Sequence, residues 1–210
     1  MNPLLALISV APTPPAALPM SPPAMVAPAP ADVAAAARPE PTSPFDRVFA
    51  IAGYGTSWAG SYAGAGVGGR IRIEPFSRFG IDLFGEALIV QTPHGLRHDH
   101  PIGFNIYVPF RLDEVWRLRP LLGMCVVASF IEPEEKRAPR ADDVLVGAHG
   151  GIGLERALGS HFSVFVEAQG SVWMGHDRAL GGWTGAVGNE MKPFAVAQAM
   201  LGVSAHLGRK

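Results

Sequence analysis

Apolar and polar side chains alternate along most of the chain after residue 45. In residues 161–174, HFSVFVEAQGSVWM, every even-numbered position is apolar or small, while the odd-numbered positions include Glu167, Gln169 and two serines. Successive side chains of a β-strand point to opposite faces, so this pattern predicts a strand with one wholly apolar face and one mostly polar face. The run is long, because strands of soluble domains usually have about five or six residues.

Eight runs of this kind follow one another along the chain. They cover residues 46–56, 62–74, 79–91, 102–112, 119–131, 143–155, 161–174 and 193–207. Most are long enough to cross a membrane as a tilted strand, which takes about 9–11 residues. The expected connections alternate between short ones (75–78, 113–118 and 156–160) and longer ones (92–101, 132–142 and 175–192). An even number of antiparallel strands, with short turns at one end and long loops at the other, is the pattern of a transmembrane β-barrel.

The first 44 residues have a different composition. They contain 12 of the 20 prolines and none of the 25 glycines. Proline at this density prevents both helices and strand ladders, which predicts a disordered Pro/Ala-rich segment. Residues 4–10 resemble the apolar part of a signal peptide, and residues 34–37 offer small side chains for cleavage. We therefore predict a signal-like leader and linker over residues 1–44 and a barrel domain over residues 45–210.

Composition narrows the classes of function. The net charge is −1 and only 17% of the residues are charged, which gives no basis for binding nucleic acid. The single cysteine, Cys125, excludes an internal disulfide and a cysteine-based metal cage. No window has the roughly 18 uninterrupted apolar residues that a membrane helix needs. A membrane-spanning form of this chain would therefore cross with strands.

The polar faces of the predicted strands suit an enclosed lumen. Their charges nearly cancel, as buried charges require. Residues 46–208 contain only two lysines, Lys136 and Lys192, both in predicted loops, whereas a solvated face would carry more. Aromatic residues near the run ends suggest interfacial girdles: Phe49, Trp58, Phe79, Tyr107, Trp116, Trp173 and Phe194. The pattern predicts a lumen ion-pair network of Arg70, Arg72, Asp82, Glu86, Arg111, Glu155 and Glu167.

Residues 151–170, GIGLERALGSHFSVFVEAQG, look like a strand, a short turn and a second strand. With this hairpin, the chain from 45 to 208 resembles the eight-stranded outer-membrane β-barrels of Gram-negative bacteria, of the outer membrane protein A/X type. The resemblance implies an all-β, antiparallel, up-and-down barrel in the bacterial outer membrane. It also implies contact with outer-membrane lipid and with the barrel assembly machinery during insertion.

We expect a structural or surface-interaction role, with a lumen filled by side chains, no cofactor and no enzymatic activity. The glycine-rich loop 175–192, with Trp183, is the best candidate for contact with a surface partner.

Two other chemistries deserve a test. His94, His98 and His100 are close together in the loop predicted after the third strand, where imidazoles would bind zinc or nickel. His161, Ser163 and Glu155 would form the site of an outer-membrane lipid-modifying enzyme if they converged on a lipid-accessible face; Glu167 lies roughly 20 Å from His161 along the same strand and cannot orient it. A soluble calycin-like ligand-binding barrel is the remaining alternative, and it requires the apolar faces to point inward.

Overall fold

The computed structural model describes residues 43–60, 63–92, 95–133, 141–176 and 191–208. It contains one turn of 3-10 helix, Pro44–Asp46, followed by nine strands. Eight strands are long and one, β5, has two residues: β1 Phe49–Gly60, β2 Ala63–Phe76, β3 Phe79–Thr92, β4 Gly95–Tyr107, β5 Phe110–Arg111, β6 Trp116–Pro133, β7 Ala141–Ala157, β8 Phe162–His176 and β9 Met191–Leu207. The predicted leader and linker lies outside the described residues except for Ser43 and Pro44.

The eight long strands form a closed sheet. Each pairs antiparallel with the strand that follows it, β4 pairs with β6, and β9 pairs with β1. Closure leaves no unpaired edge among the long strands, so the backbone polar groups of the wall satisfy one another. The predicted eight-stranded, antiparallel, up-and-down barrel is confirmed.

The pairing register fixes the tilt of the strands. A line of paired residues that starts at Phe49 of β1 passes around the barrel and returns to β1 at Ala59, ten residues nearer its other end. The line passes through Ile73, Ile81, Ile106, Leu122, Gly150, Gly170 and Ala197. With strands about 4.8 Å apart and a rise of about 3.3 Å per residue, this offset tilts the strands by about 40°. Eight strands at this tilt enclose an interior that side chains just fill.

The apolar faces point outward. Ile102, Leu122 and Leu201 are between 65% and 72% exposed, while their neighbours along each strand point into the barrel. Water does not support an apolar surface that runs around the whole barrel, but lipid does. The alternative of a soluble calycin-like barrel, with its apolar faces inward, is therefore wrong. Among the described residues, no helix is long and apolar enough to span a membrane.

Two connections differ from the prediction. Only residues 93–94 separate β3 from β4, because β4 begins at Gly95 and its inward positions Arg97 and Asp99 pair with each other inside the barrel. The polar residues that suggested a long loop over 92–101 are thus part of a strand. Conversely, β4 ends at Tyr107, before Pro109, which has no backbone N–H to donate, and residues 108–115 form a longer connection that contains β5.

The barrel has two unlike ends. The turn end holds both ends of the described chain and the connections 77–78, 108–115 and 158–161. At the loop end the strands run into residues 61–62, 93–94, 134–140 and 177–190, which lie outside the described residues. The predicted partner loop 175–192 falls mostly in the last of these segments.

The lumen as candidate functional site

Inward-facing side chains fill the half of the lumen nearer the turn end with charge. We call this set the ion-pair layer. It consists of four arginines and four carboxylates, all nearly inaccessible to solvent: Arg70, Arg72, Arg117, Arg119, Glu74, Asp82, Glu155 and Glu167. Alternation along β2, β3, β6, β7 and β8 aims all eight at the barrel axis.

Glu155 of β7 is the centre of the ion-pair layer. Its Oε2 lies 3.0 Å from Nη1 of Arg72, 2.9 Å from Nη2 of Arg117 and 3.1 Å from Nε of Arg119. Ser163 donates a further hydrogen bond to this carboxylate from the neighbouring strand β8. One carboxylate therefore holds three guanidinium groups, two from the neighbouring strand β6 and one from β2 across the lumen.

Arg70 forms a second centre. Its Nη1 lies 2.9 Å from Glu167 and 3.2 Å from Asp82, and Asp82 is also 3.0 Å from Nε of Arg72. The Arg70 guanidinium carbon lies 4.5 Å from the centre of the Tyr54 ring and 4.9 Å from that of Phe165. Carboxylates and ring faces together replace the water that these buried cations have lost.

The half of the lumen nearer the loop end is filled differently. It contains a cluster of buried apolar side chains, which we call the apolar layer: Trp58, Leu88, Val90, Cys125, Val127, Leu145, Trp173 and Val196. The buried pair of Arg97 and Asp99 lies beyond this layer, toward the loop end. The Trp58 and Trp173 rings pack edge to face, with centroids 4.6 Å apart. A Cβ atom at the inward-facing Gly147 would lie 2.6 Å from the Trp173 ring, so this glycine makes room for the indole.

Neutral polar groups lie between the two layers. Tyr54 and Gln198 both donate hydrogen bonds to Glu86, at 2.9 Å. The prediction that Glu86 belongs to the ion-pair network is therefore corrected, since its partners are a phenol and an amide. On the opposite wall, His149 hydrogen-bonds Asn105.

The 3-10 turn covers the mouth of the lumen at the turn end. Phe45 is only 2% exposed, and its ring lies 4.3 Å from the Arg117 guanidinium carbon and 6.1 Å from the His206 ring. On one side Asp46 pairs with Arg111, and on the other Arg47 hydrogen-bonds His161 at 2.8 Å. Phe45 thus sits over the ion-pair layer, held by polar contacts on both sides.

Arg111 is not part of the lumen network, which corrects the prediction. It lies in β5, past the end of β4, where only β6 continues the wall. Without an opposite wall, its side chain stays about half exposed and pairs with Asp46. Its phase along the strand suggested the inward face, but the strand leaves the closed barrel before reaching it.

Three members of the ion-pair layer were not predicted for the network. Arg117 lay in the predicted connection 113–118, whereas Arg119 and Glu74 lay at the ends of predicted strands and were not included in the network. The two arginines are two residues apart, which is the spacing of one strand face, and that spacing was the available signal.

The predicted aromatic girdle was partly wrong. Trp58, Tyr107 and Trp173 point into the lumen and are at most 5% exposed.

No protein-family model and no curated protein sequence matches the chain. Among solved structures, it is similar to Neisserial surface protein A (TM-score 0.55, 9% identity over 76% of this chain and 97% of that one). It is also similar to the outer membrane protein OprG from Pseudomonas aeruginosa (TM-score 0.54, 11% identity over 80% of this chain and 98% of that one). The fold is that of the eight-stranded outer-membrane β-barrels. The predicted resemblance is confirmed as a likeness of fold, and the apolar exterior is that of a barrel that spans a membrane.

His161, Ser163 and Glu155 do not converge as the alternative of a lipid-modifying enzyme requires. Ser163 and Glu155 do meet inside the barrel, but the histidine beside them is His206, whereas His161 contacts Arg47 and Ser160 at the turn end. Nε2 of His206 lies 2.7 Å from Ser163 and 3.3 Å from Glu155, so one ring nitrogen faces both partners. A catalytic triad needs the two partners on opposite nitrogens. Moreover, Ser163 is fully buried inside the barrel, away from lipid.

Two of the three histidines of the candidate metal site lie in a strand and not in the predicted loop. His94 lies outside the described residues, and His98 and His100 belong to strand β4 rather than to a loop. They occupy outward-facing positions near the loop end, where His100 lies 5.9 Å from the Phe130 ring. Across the described parts of the chain, no group of three or more histidine, cysteine, aspartate or glutamate side chains is arranged to hold a metal ion.

Proposed function

We propose that this protein is a non-enzymatic and non-conducting outer-membrane barrel with a structural or surface-interaction role. The observation that carries the proposal is the filling of the lumen by two successive layers of buried side chains. In this account the turn end faces the periplasm and the loop end faces the cell exterior, as is usual for such barrels.

The two layers block conduction for different physical reasons. In the ion-pair layer a passing ion would have to separate guanidinium groups from carboxylates about 3 Å away, in a space without bulk water. In the apolar layer it would have to lose its own hydration between tryptophan, leucine and valine side chains. A small ion passing either layer must therefore displace side chains that pack against each other.

The surface role is assigned to the loop end. Residues 134–140 and 177–190 are the longest connections there, and binding commonly resides in loops held by a rigid scaffold. A surface partner at 175–192, export by the leader and insertion by the barrel assembly machinery remain parts of the proposal. The partner class we favour is a macromolecule or ligand outside the cell.

Single-channel recording tests the proposal. The full chain, refolded into planar phospholipid bilayers, is expected to give no steady conductance above that of the lipid. The Trp173→Ala variant, which opens the apolar layer alone, is expected to remain closed because the ion-pair layer is intact. Steady, voltage-independent current through the wild-type barrel would refute the proposal, and current only in Trp173→Ala would assign the seal to the apolar layer alone.

A further inference from the structure

An open apolar groove of about 550 Å³ lies on the outside of the barrel where β4, β6 and β7 adjoin. Ile106, Val108, Pro120 and Leu122 line it, and Gly150 leaves it unfilled on the β7 side. The lining is almost wholly apolar. The groove is therefore an apolar recess in the lipid-facing wall, and its lining suits a hydrocarbon chain rather than a polar ligand.

The pairing register locates the groove relative to the turn end. Leu122 of β6 pairs with Ile106 of β4, and Ile106 pairs with Ile81 of β3. Arg78 lies three residues before Ile81 in the chain. The line of paired residues descends toward the turn end as strand number falls. The move across the strands from Leu122 to Ile81 and the move along the chain from Ile81 to Arg78 therefore both lead toward the turn end. With a strand spacing of about 4.8 Å, a rise of about 3.3 Å and a tilt of about 40°, they add to a descent of roughly 14 Å with almost no sideways displacement. Arg78 thus lies beneath the groove along the membrane normal.

This separation matches one lipid leaflet. The hydrocarbon core of a bilayer is about 30 Å thick, so each leaflet contributes roughly 15 Å. Val108 lies near the middle of the line between Arg78 and Leu122. An acyl chain whose headgroup is at Arg78 would therefore cross Val108 and reach Leu122 and Gly150.

Arg78 is suited to hold an anionic headgroup. It lies in the exposed two-residue turn between β2 and β3, beside Phe76, which is 67% exposed. Within the described chain Arg78 has no carboxylate partner. Arginine binds phosphate oxygens through paired N–H groups, and a free guanidinium at the membrane surface favours a phosphate there.

We propose that the barrel binds one glycerophospholipid of the leaflet at the turn end, with its phosphate on Arg78 and one acyl chain in the groove over Val108, Leu122 and Gly150. The site is on the outside of the barrel and does not depend on a closed lumen. Only the identity of the leaflet rests on the orientation proposed above. Lipid A, the phosphorylated lipid of the opposite leaflet, would have to enter from the loop end, far from Arg78.

Native mass spectrometry with dipalmitoyl phosphatidylglycerol tests the acyl part of the site. Gly150→Leu fills the groove, and the new Cβ meets only the flexible end of Leu122, at 3.0 Å, and the Leu121 carbonyl, at 3.6 Å. Gly170→Leu is the matched control, because Gly170 pairs with Gly150 on the adjacent strand and has open space around it. We expect the fraction of barrels retaining one phosphatidylglycerol to fall about tenfold in Gly150→Leu and to stay unchanged in Gly170→Leu. Equal retention in both variants, or an equal loss in both, would overturn the proposal.

The headgroup part has its own pair of variants. Arg78→Gln is expected to reduce retention about tenfold, whereas Arg156→Gln, at an exposed outward arginine stacked 5.5 Å from Trp116, is expected to leave it unchanged. This pair decides the matter if Gly150→Leu fails to fold, as judged by the gel shift between unboiled and boiled samples. Absence of a retained phospholipid in the wild type, or stronger retention of lipid A than of phosphatidylglycerol, would overturn the proposal. None of these outcomes bears on the conductance test.

Discussion

The ion-pair layer and the apolar layer share strands of the same barrel and are built from opposite chemistries. In β7, Leu145 and Glu155 both point inward and both are fully buried, one in the apolar layer and the other in the ion-pair layer. The apolar layer needs only shape to fill its space, whereas each charge in the ion-pair layer needs its partners. The two layers are equally well buried, but the stability of the ion-pair layer depends far more on each single residue than that of the apolar layer does.

The largest effect is expected from Glu155→Gln. The change keeps the shape of the side chain but removes the charge that faces Arg72, Arg117 and Arg119. Breaking a buried ion pair costs about 3–5 kcal/mol, because the remaining charge stays uncompensated. We expect a loss of this size in the free energy of unfolding, measured by urea titration in phospholipid vesicles.

The control for this change is Glu114→Gln, at an exposed carboxylate of the turn-end connection. We expect it to alter the unfolding free energy by no more than about 0.5 kcal/mol, as surface substitutions usually do. Similar effects at Glu155 and Glu114 would mean that the charges of the lumen are solvated, contrary to the ion-pair layer described here.

A smaller loss is expected from Leu145→Ala in the apolar layer. Leucine-to-alanine changes in packed interiors cost about 2–5 kcal/mol, and we expect about 2–3 kcal/mol here, because Leu145 lies near the loop end, where neighbours can partly close the cavity. The same urea titration measures it. If Leu145→Ala lowered the free energy of unfolding more than Glu155→Gln does, the ion-pair layer would not be the more sensitive of the two layers.

The smallest effect is expected from Asp46→Asn at the mouth of the turn end. Its ion pair with Arg111 is 40% to 49% exposed, and exposed pairs contribute at most about 1 kcal/mol. Urea titrations of Asp46→Asn and wild type at low and high salt are expected to differ slightly at low salt and to coincide at high salt. A difference that persists at high salt would show that Asp46 acts through more than this surface pair.

The sequence predicted the ion-pair half of the lumen better than the apolar half, for a physical reason. Where inward residues are charged, as at Arg70 and Glu167, alternation separates the two faces. Where they are apolar, as at Val127 and Trp173, the inward and outward faces look alike in the sequence. Trp58 and Trp173 were therefore assigned to the lipid interface. Register between strands decides which charges meet, which is why Glu86 was misassigned, whereas Arg111 was misassigned because its strand ends before reaching it.

Strand ends were predicted least well. His98 and His100 look like loop residues because they are polar, but they belong to β4. The alternate positions Arg97 and Asp99 point into the barrel, where they pair with each other and Asp99 accepts a hydrogen bond from Ser129. The turn-end mouth was not predicted at all. Phe45 was read only as the first residue of the barrel, and nothing in its local sequence indicates that it covers the lumen.

A double-mutant cycle between Glu155 and Arg119 tests the central claim most directly, namely that the charged half of the lumen is one linked network. Glu155→Gln, Arg119→Gln and the double variant would be compared by urea unfolding, with Glu155→Gln and Leu145→Ala as the reference cycle. Leu145 and Glu155 are ten residues apart on one strand, roughly 33 Å, so we expect their effects to add within about 0.5 kcal/mol. For Glu155 and Arg119 we expect the double variant to lose about 1–3 kcal/mol less than the sum of the single losses. Additive losses in both cycles would contradict the account.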